Sequence, residues 1–164
     1  LAHLPELEQS GILFLEQPLS GHLRNEMRML REHSSILIAV DESVFTAEDV
    51  LMVKQEGIAD IVNIYVLKAG GIHNAKRALD VSEAAGLDSF VGSFNELGIS
   101  TMAGAHLSAI LPNLVYPCYL VGPTLYEEDV LIEPLNIQDG MVHLSDWPGL
   151  GIQVDEKQIE KFSI

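Results

Sequence analysis

Glu16 closes the apolar run Gly11-Ile12-Leu13-Phe14-Leu15, and Asp41 closes the run Ile36-Leu37-Ile38-Ala39-Val40. Carboxylates at the ends of adjacent strands stand on the order of 5 Å apart sideways. Such a pair can share one hard cation such as Mg²⁺, which prefers oxygen ligands at roughly 2.1 Å. Without a cation the two acids repel each other; either one alone is also readable as a solvated loop residue or a helix cap. Further groups fall at corresponding places: Glu42 beside Asp41, Tyr65 at the end of Ile61-Val62-Asn63-Ile64-Tyr65, and Ser93, Asn95 and Glu96 after Ser89-Phe90-Val91. A phenol of ordinary pKa, about 10, makes Tyr65 a poor base but a serviceable hydrogen-bond donor or acid. Glu96 has two readings, an acid facing the rim of strand ends or a first-turn acid that complements a helix dipole.

The spacing of these residues is that of a strand–helix repeat. From Glu16 to Asp41 is 25 residues and from Asp41 to Tyr65 is 24, the length of one strand, one helix and two loops. Between the first two runs, Leu23, Met27, Leu30 and Arg31 share a helical stripe. Between the next two, Thr46 and Asp49 form a capping-box pair and Gly57 stops the helix. Helices are also predicted over about 72–85, ending at Gly86, and over about 97–111, ending before Pro112. Gly70-Gly71 lacks the companions of a phosphate-binding loop and reads as a tight turn. A fifth run, Leu114-Val115-Tyr116, precedes Pro117-Cys118. Near-continuous apolar strands are buried on both faces, as a parallel sheet with helical crossovers requires. The fold class is therefore α/β with about five βα units in residues 1–126, followed by an extension over 127–164 made of short strands, turns and a last helical turn near Glu156–Phe162. Two closures stand open, a doubly wound sheet or part of a (β/α) barrel. An intact barrel takes about 250 residues, more than the 164 present.

Composition excludes several classes. A formal charge of -15 repels polyphosphate, so nucleic acid is not an expected partner. One cysteine, Cys118, provides no disulfide framework and no Cys-rich metal site, and fits a reducing, cytoplasmic setting. Leu97–Tyr126 carries no Asp, Glu, Lys or Arg, but its prolines fall where a membrane-spanning helix would have to continue, so no membrane partner is expected. The first residues, Leu1–Glu8, have no initiating Met and no signal-peptide character, and read as a cut through a longer polypeptide. His106, among Ala103, Gly104 and Ala105, reads as a packed core histidine, and Cys118 as buried and inert.

Four ordered motifs carry a family resemblance: Phe14-Leu15-Glu16-Gln17-Pro18, Ala39-Val40-Asp41-Glu42-Ser43, Asn63-Ile64-Tyr65 with Lys68-Ala69-Gly70-Gly71-Ile72, and Trp147-Pro148-Gly149-Leu150-Gly151. Together they resemble the enolase superfamily, in its mandelate racemase and muconate lactonizing enzyme branch. The resemblance implies the C-terminal portion of a modified TIM barrel, with Glu16 and Asp41 matching the second and third of three acidic Mg²⁺ ligands and Glu42 beside them as a ligand or supporting group. It implies removal of the proton α to a carboxylate, through an enediolate stabilised by the metal. By the same match the first metal ligand, a second-strand lysine pair and a capping domain would precede Leu1, and the extension would return toward that cap.

Tyr65 stands where muconate-lactonizing-type members carry a catalytic lysine, and the His-Asp pairing of mandelate-racemase-type members is missing, with Phe94 and Asn95 in the seventh-strand region. Lys68 lies past the strand end, in the loop before the helix, and is the weaker candidate for touching substrate; Ser93 and Asn95 are candidate substrate contacts. Loss of one base favours a one-base β-elimination, hence a lyase such as a dehydratase of a hydroxy acid or cyclic hydroxy amino acid. The alternatives are a racemase, epimerase or cycloisomerase of the same superfamily, and a non-catalytic half-barrel whose open edges pair with a second copy; a small carboxylate substrate and a homo-oligomer are the expected partners. A receiver-type doubly wound Mg²⁺ domain is a third, disfavoured by the long extension.

Overall fold

The computed structural model describes residues 2–112 and 114–163. Helix α1 (Leu4–Gln9) leads into strand β1 (Phe14–Glu16); then come α2 (Arg24–His33), β2 (Leu37–Val40), α3 (Ala47–Glu56) and β3 (Ile61–Ile64). A single turn, α4 (Val66–Ala69), precedes α5 (Ile72–Ala84), β4 (Asp88–Val91) and α6 (Gly98–Ala109). The four strands are parallel and hydrogen-bond in the order β1-β2-β3-β4. Spatial order equal to chain order leaves no reversal point. The doubly wound closure, whose ligand crevice sits at such a reversal, is thereby excluded, and with it the receiver-type reading.

Register separates two faces, because alternate residues of a strand point to opposite sides. Glu16 pairs with Ala39, Ala39 with Ile61, and Asn63 with Phe90. Leu15, Ile38, Val40, Val62, Ile64 and Val91 therefore share the outer face, where they pack with Met27, Val50, Val53, Ala75, Ala78, Leu79 and Leu107 from the helices. Phe14, Ala39, Ile61 and Phe90 share the inner face and form a separate small cluster with Tyr116. The Phe14 and Phe90 ring centroids are 5.6 Å apart although β1 and β4 are the outermost strands of the sheet. At about 4.8 Å per strand a flat sheet would hold them roughly 14 Å apart, so the sheet curls around its inner face as a segment of barrel wall.

Local chemistry explains where the helices stop and start. Thr46 Oγ1 accepts from the Asp49 amide at 3.2 Å and Asp49 returns the bond to the Thr46 amide at 2.9 Å, the expected capping box. Gly57 ends α3 with φ 65°, a conformation only glycine adopts at little cost. Gly70 and Gly71, at φ 76° and 126°, make the tight turn between α4 and α5. Met27 is the buried residue of the α2 stripe.

Beyond α6 the chain departs from the repeat. Leu114–Tyr116 forms no strand; Pro112 and Pro117 flank it and cannot donate to a ladder, and the backbone rejoins the sheet where the Tyr119 amide donates to Val91 O at 2.9 Å. Then follow α7 (Gly122–Leu125), the antiparallel pair β5 (Ile137–Gln138) and β6 (Met141–Val142), and α8 (Glu156–Phe162). Asp139 and Gly140, both at positive φ, form the hairpin turn. Ile132–Leu135 is not a strand; beside it an isolated antiparallel bridge joins Leu131 to Val154, and the Ile132 amide donates to Gln153 O at 2.9 Å. The extension is tied to α6 at its start, where both Asp129 carboxylate oxygens accept from the Gly98 amide, at 3.1 and 2.8 Å. His106 is half-buried and its Nε2 lies 3.2 Å from Leu150 O, so it links α6 to the extension rather than packing wholly in the core. Cys118 is half-buried beside Ser108. Among the described residues no helix is long and apolar enough to cross a membrane.

Candidate active site

The inner-face parity runs on beyond the strand ends. Phe14 and Glu16 share it on β1, Ala39 and Asp41 on β2, Ile61, Asn63 and Tyr65 on β3, and Phe90 and Gly92 on β4. Tyr65 keeps an extended backbone, φ -140° and ψ 158°, so the alternation holds through it. The first three strands thus place apolar residues deep in the concave face and polar ones at the C-terminal rim, while β4 brings Gly92 there.

Asn63 crosses β2 to reach Glu16: its Nδ2 donates to Glu16 Oε1 at 2.7 Å. Asp41 is held by Lys68, whose ammonium donates to Asp41 Oδ1 at 2.7 Å, to Asp41 O at 2.8 Å and to Asn63 O at 2.8 Å. The one-turn helix α4 is what folds Lys68 back under the strand ends. Its side chain is 2% exposed and that of Asp41 is 28% exposed. Burial pulls the Lys68 ammonium below the ordinary lysine value, while the hydrogen bond and charge of Asp41 work in the opposite direction. All three ammonium protons are committed to Asp41 and Asn63, an arrangement that presents Lys68 as a buried counter-ion of Asp41.

Tyr65 is 9% exposed. Burial, then the charges of Asp41, Glu96, Glu42 and Glu16, push its phenol up to about 12. The same four acids that the sequence placed at strand ends therefore bear on one hydroxyl. Burial and these charges favour the protonated phenol, the form that donates a hydrogen bond. The Lys68 ammonium lies 4.6 Å from the centre of the Tyr65 ring, which steadies the ring from beneath.

The remaining candidates are arranged differently. Glu42 is exposed, and among the described residues no three His, Cys, Asp or Glu side chains converge on one metal position. The three-acid set Glu16, Asp41 and Glu42 is therefore not gathered within this chain. Glu96 Oε2 accepts from the Phe94 amide at 2.7 Å, closing its own turn. Ser93 Oγ accepts from the Asn95 amide at 3.3 Å. Asn95 is exposed at φ 58°, and its carbonyl accepts from the Tyr126 hydroxyl at 2.9 Å.

Two residues of the site escaped the sequence reading. Gln17 sits at φ 39°, uncommon for a residue with a side chain. Its Oε1 accepts from the Asp41 and Ser43 amides at 2.9 and 3.3 Å, and its Nε2 donates to Leu19 O and Ser43 Oγ at 2.7 and 2.9 Å. The amide thereby pins the Asp41 loop to the end of β1. Asn63 is the second, and its signal was available: a single carboxamide within the otherwise apolar Ile61-Val62-Asn63-Ile64 must find partners inside the protein.

The donor set suits a hard cation. Glu16 Oε1 and Asp41 Oδ1 are occupied, whereas Glu16 Oε2 and Asp41 Oδ2 accept no hydrogen bond among the described residues. Mg²⁺ is commonly held by one or two carboxylates together with water or substrate oxygens, which two such free oxygens match.

Comparison with known proteins places this geometry in context. Chloromuconate cycloisomerase of Cupriavidus pinatubonensis is 31% identical over 160 residues, covering 98% of this chain and 43% of that protein. Muconate cycloisomerase 1 of Pseudomonas putida is 33% identical over 157 residues, covering 96% and 42%. The crystal structure of the muconate lactonizing enzyme from Pseudomonas putida superposes with a TM-score of 0.91 at 33% identity, over 95% of this chain and 44% of that one. The chain thus spans less than half the length of the curated relatives it matches. The enolase C-terminal domain-like profile matches residues 1–158, and with the sequential parallel sheet, the inner-face acids and the superposition in agreement, the chain belongs to the enolase C-terminal domain-like family, as the C-terminal barrel portion of its mandelate racemase and muconate lactonizing enzyme branch.

Proposed function

We propose that Glu16 and Asp41 hold Mg²⁺ in an enzyme that interconverts a carboxylate substrate and its enediolate, with an oxygen group added or eliminated at the β carbon. The observation that carries this reading is that Glu16 and Asp41 stand at the ends of adjacent strands on the inner face, each with one carboxylate oxygen anchored, by Asn63 and by Lys68, and the other free of hydrogen bonds among the described residues, at the place where barrel enzymes assemble their sites. Bound there, the cation would supply charge stabilisation for the second negative charge that develops on the substrate carboxylate. Asn63 and Lys68 hold the two acids in place, and Tyr65 donates a hydrogen bond or a proton to an oxygen on the reacting face. In this scheme Tyr65 is the donor and another group takes the α proton.

Addition of a carboxylate oxygen to a conjugated double bond and elimination of a β-oxygen group are forward and reverse uses of one enediolate. Cycloisomerisation of an unsaturated dicarboxylate such as muconate is the intramolecular case, supported by the relatives named above. Dehydration of a hydroxy acid is the second reading, favoured by Tyr65, a proton donor, at the place where the family resemblance puts a lysine. Incubating the full chain with muconate, muconolactone and a panel of β-hydroxy acids in D₂O with MgCl₂, and following α-proton exchange by NMR, tests the proposal. Exchange that needs Mg²⁺ and vanishes in Glu16→Gln and Asp41→Asn supports it. Exchange indifferent to the metal and to both substitutions overturns it. Lactone formation from muconate, or release of an α,β-unsaturated acid and water from a β-hydroxy acid, then separates the two readings.

A further inference from the structure

We infer that Asn63 is a positioning residue that sets both carboxylates at once, Glu16 through its side chain and Asp41 through its backbone carbonyl and Lys68. The inference deepens the cation reading of Glu16 and Asp41 and rests on it. Asn63 is 5% exposed and lies within an apolar buried strand. Its Nδ2 spans from β3 over β2 to Glu16 Oε1 at 2.7 Å. A carboxylate only accepts, so the amide must present its NH₂ to Glu16 and turn Oδ1 away. That Oδ1 is buried without a hydrogen-bond partner among the described residues.

An orphaned acceptor is a cost that a residue kept for packing alone does not carry, since Val or Leu would suit this strand without it. The fold makes room for the amide on the fourth strand. A Cβ at Gly92 would stand 2.2 Å from Asn63 Oδ1 and 2.6 Å from Nδ2, so glycine there leaves the notch in which the carboxamide lies. The same residue's carbonyl accepts from Lys68 at 2.8 Å, and Lys68 holds Asp41 Oδ1 at 2.7 Å. Three strands and α4 thus meet at residue 63. The effect is that each acid has one oxygen anchored and the other free, with the carboxylate planes fixed before any cation arrives. Partners behind the ligands of this kind ordinarily alter metal affinity by about 10–100-fold when removed.

The test titrates Mn²⁺, as a paramagnetic stand-in for Mg²⁺, into the full chain and counts free ion by electron paramagnetic resonance, with metal-free thermal unfolding measured beside it. Asn63→Ala should raise the Mn²⁺ dissociation constant by about 10–100-fold. Gly92→Ala should do the same by dislodging the carboxamide, and the double variant should be no weaker than Asn63→Ala alone, since both act through one amide. Failure of Gly92→Ala to fold leaves Asn63→Ala to decide. Binding within twofold of wild type in Asn63→Ala, while Glu16→Gln abolishes binding, overturns this inference alone. So does a lower metal-free unfolding temperature with unchanged affinity, the mark of a merely structural residue. A wild-type chain that does not bind Mn²⁺, or a Glu16→Gln variant that binds as well as wild type, overturns the cation reading and this inference with it.

Discussion

Replacing Lys68 by Met keeps the length and apolar stem of a side chain that is 2% exposed and deletes only its charge and its three donors. Two carbonyl-type acceptors, Asp41 O and Asn63 O, lose their partner, and Asp41 loses its counter-ion. Breaking a buried ion pair from one side typically costs about 3–5 kcal/mol. Asp41 retains 28% exposure and can recover solvent on one side, which puts the expected loss at the lower end, about 3 kcal/mol. For a chain of this size each kcal/mol shifts the unfolding midpoint by about 2–4 °C, so the variant should melt roughly 6–12 °C below wild type. Circular dichroism melts at pH 8 measure this directly. Adding Asp41→Asn to Lys68→Met should return part of the loss, because the uncompensated charge is gone, and the cycle should show a coupling of about 1–3 kcal/mol. A Lys68→Met variant within about 1 kcal/mol of wild type, a margin small beside the usual cost, or strict additivity in the cycle, would refute the account of Lys68 as the buried counter-ion of Asp41.

Tyr65→Phe should remove from the alkaline ultraviolet titration one phenol with its midpoint near 12. Because that pKa is raised on folding, Tyr65 contributes stability that is whole below about pH 10 and lost as the pH climbs through its folded value; the phenylalanine variant should lose that alkaline decline. Asp49 is shifted the other way: burial raises its carboxyl, but the Phe45 and Thr46 amides and the Thr46 hydroxyl outweigh it and hold the group below the usual carboxylate range. Its contribution is present at neutral pH and lost as the pH falls through that lowered value, so Asp49→Asn should flatten the acid limb of a stability–pH curve followed by urea unfolding. Thr46→Ala removes the other half of the same cap and should cost about 1 kcal/mol, seen as a shift of the urea midpoint at unchanged slope.

The placement of the strand-end acids was legible because a βα repeat has a nearly fixed length: 25 and 24 residues separate Glu16, Asp41 and Tyr65, and runs of that spacing end at the same rim whatever the loops between them do. Caps were legible for a similar reason, since Thr46, Asp49 and Gly57 act within one helix. What depends on stagger between strands was not. Glu16 lies level with Ala39 and, through it, with Ile61, so Asp41 and Asn63 both stand two residues farther out along the rim, where Lys68 takes the Asp41 carboxylate and the Asn63 carboxamide meets Glu16. Nothing in the order of residues reports that offset, or which side chain each of Asn63, Gln17 and Lys68 will meet across the strands. The missing fifth strand has a different cause. Its run is apolar enough, but a strand is stabilised by its neighbours on either side, and prolines at 112 and 117 remove donors at both ends of Leu114–Tyr116. Tyr116 is used instead as a plug: its ring meets Phe14 at 5.3 Å, edge to face, inside the curl of the sheet. The inner aromatic cluster therefore closes the concave face from below, and the polar rim formed by Glu16, Asp41, Asn63 and Tyr65 is left as the face on which chemistry can occur.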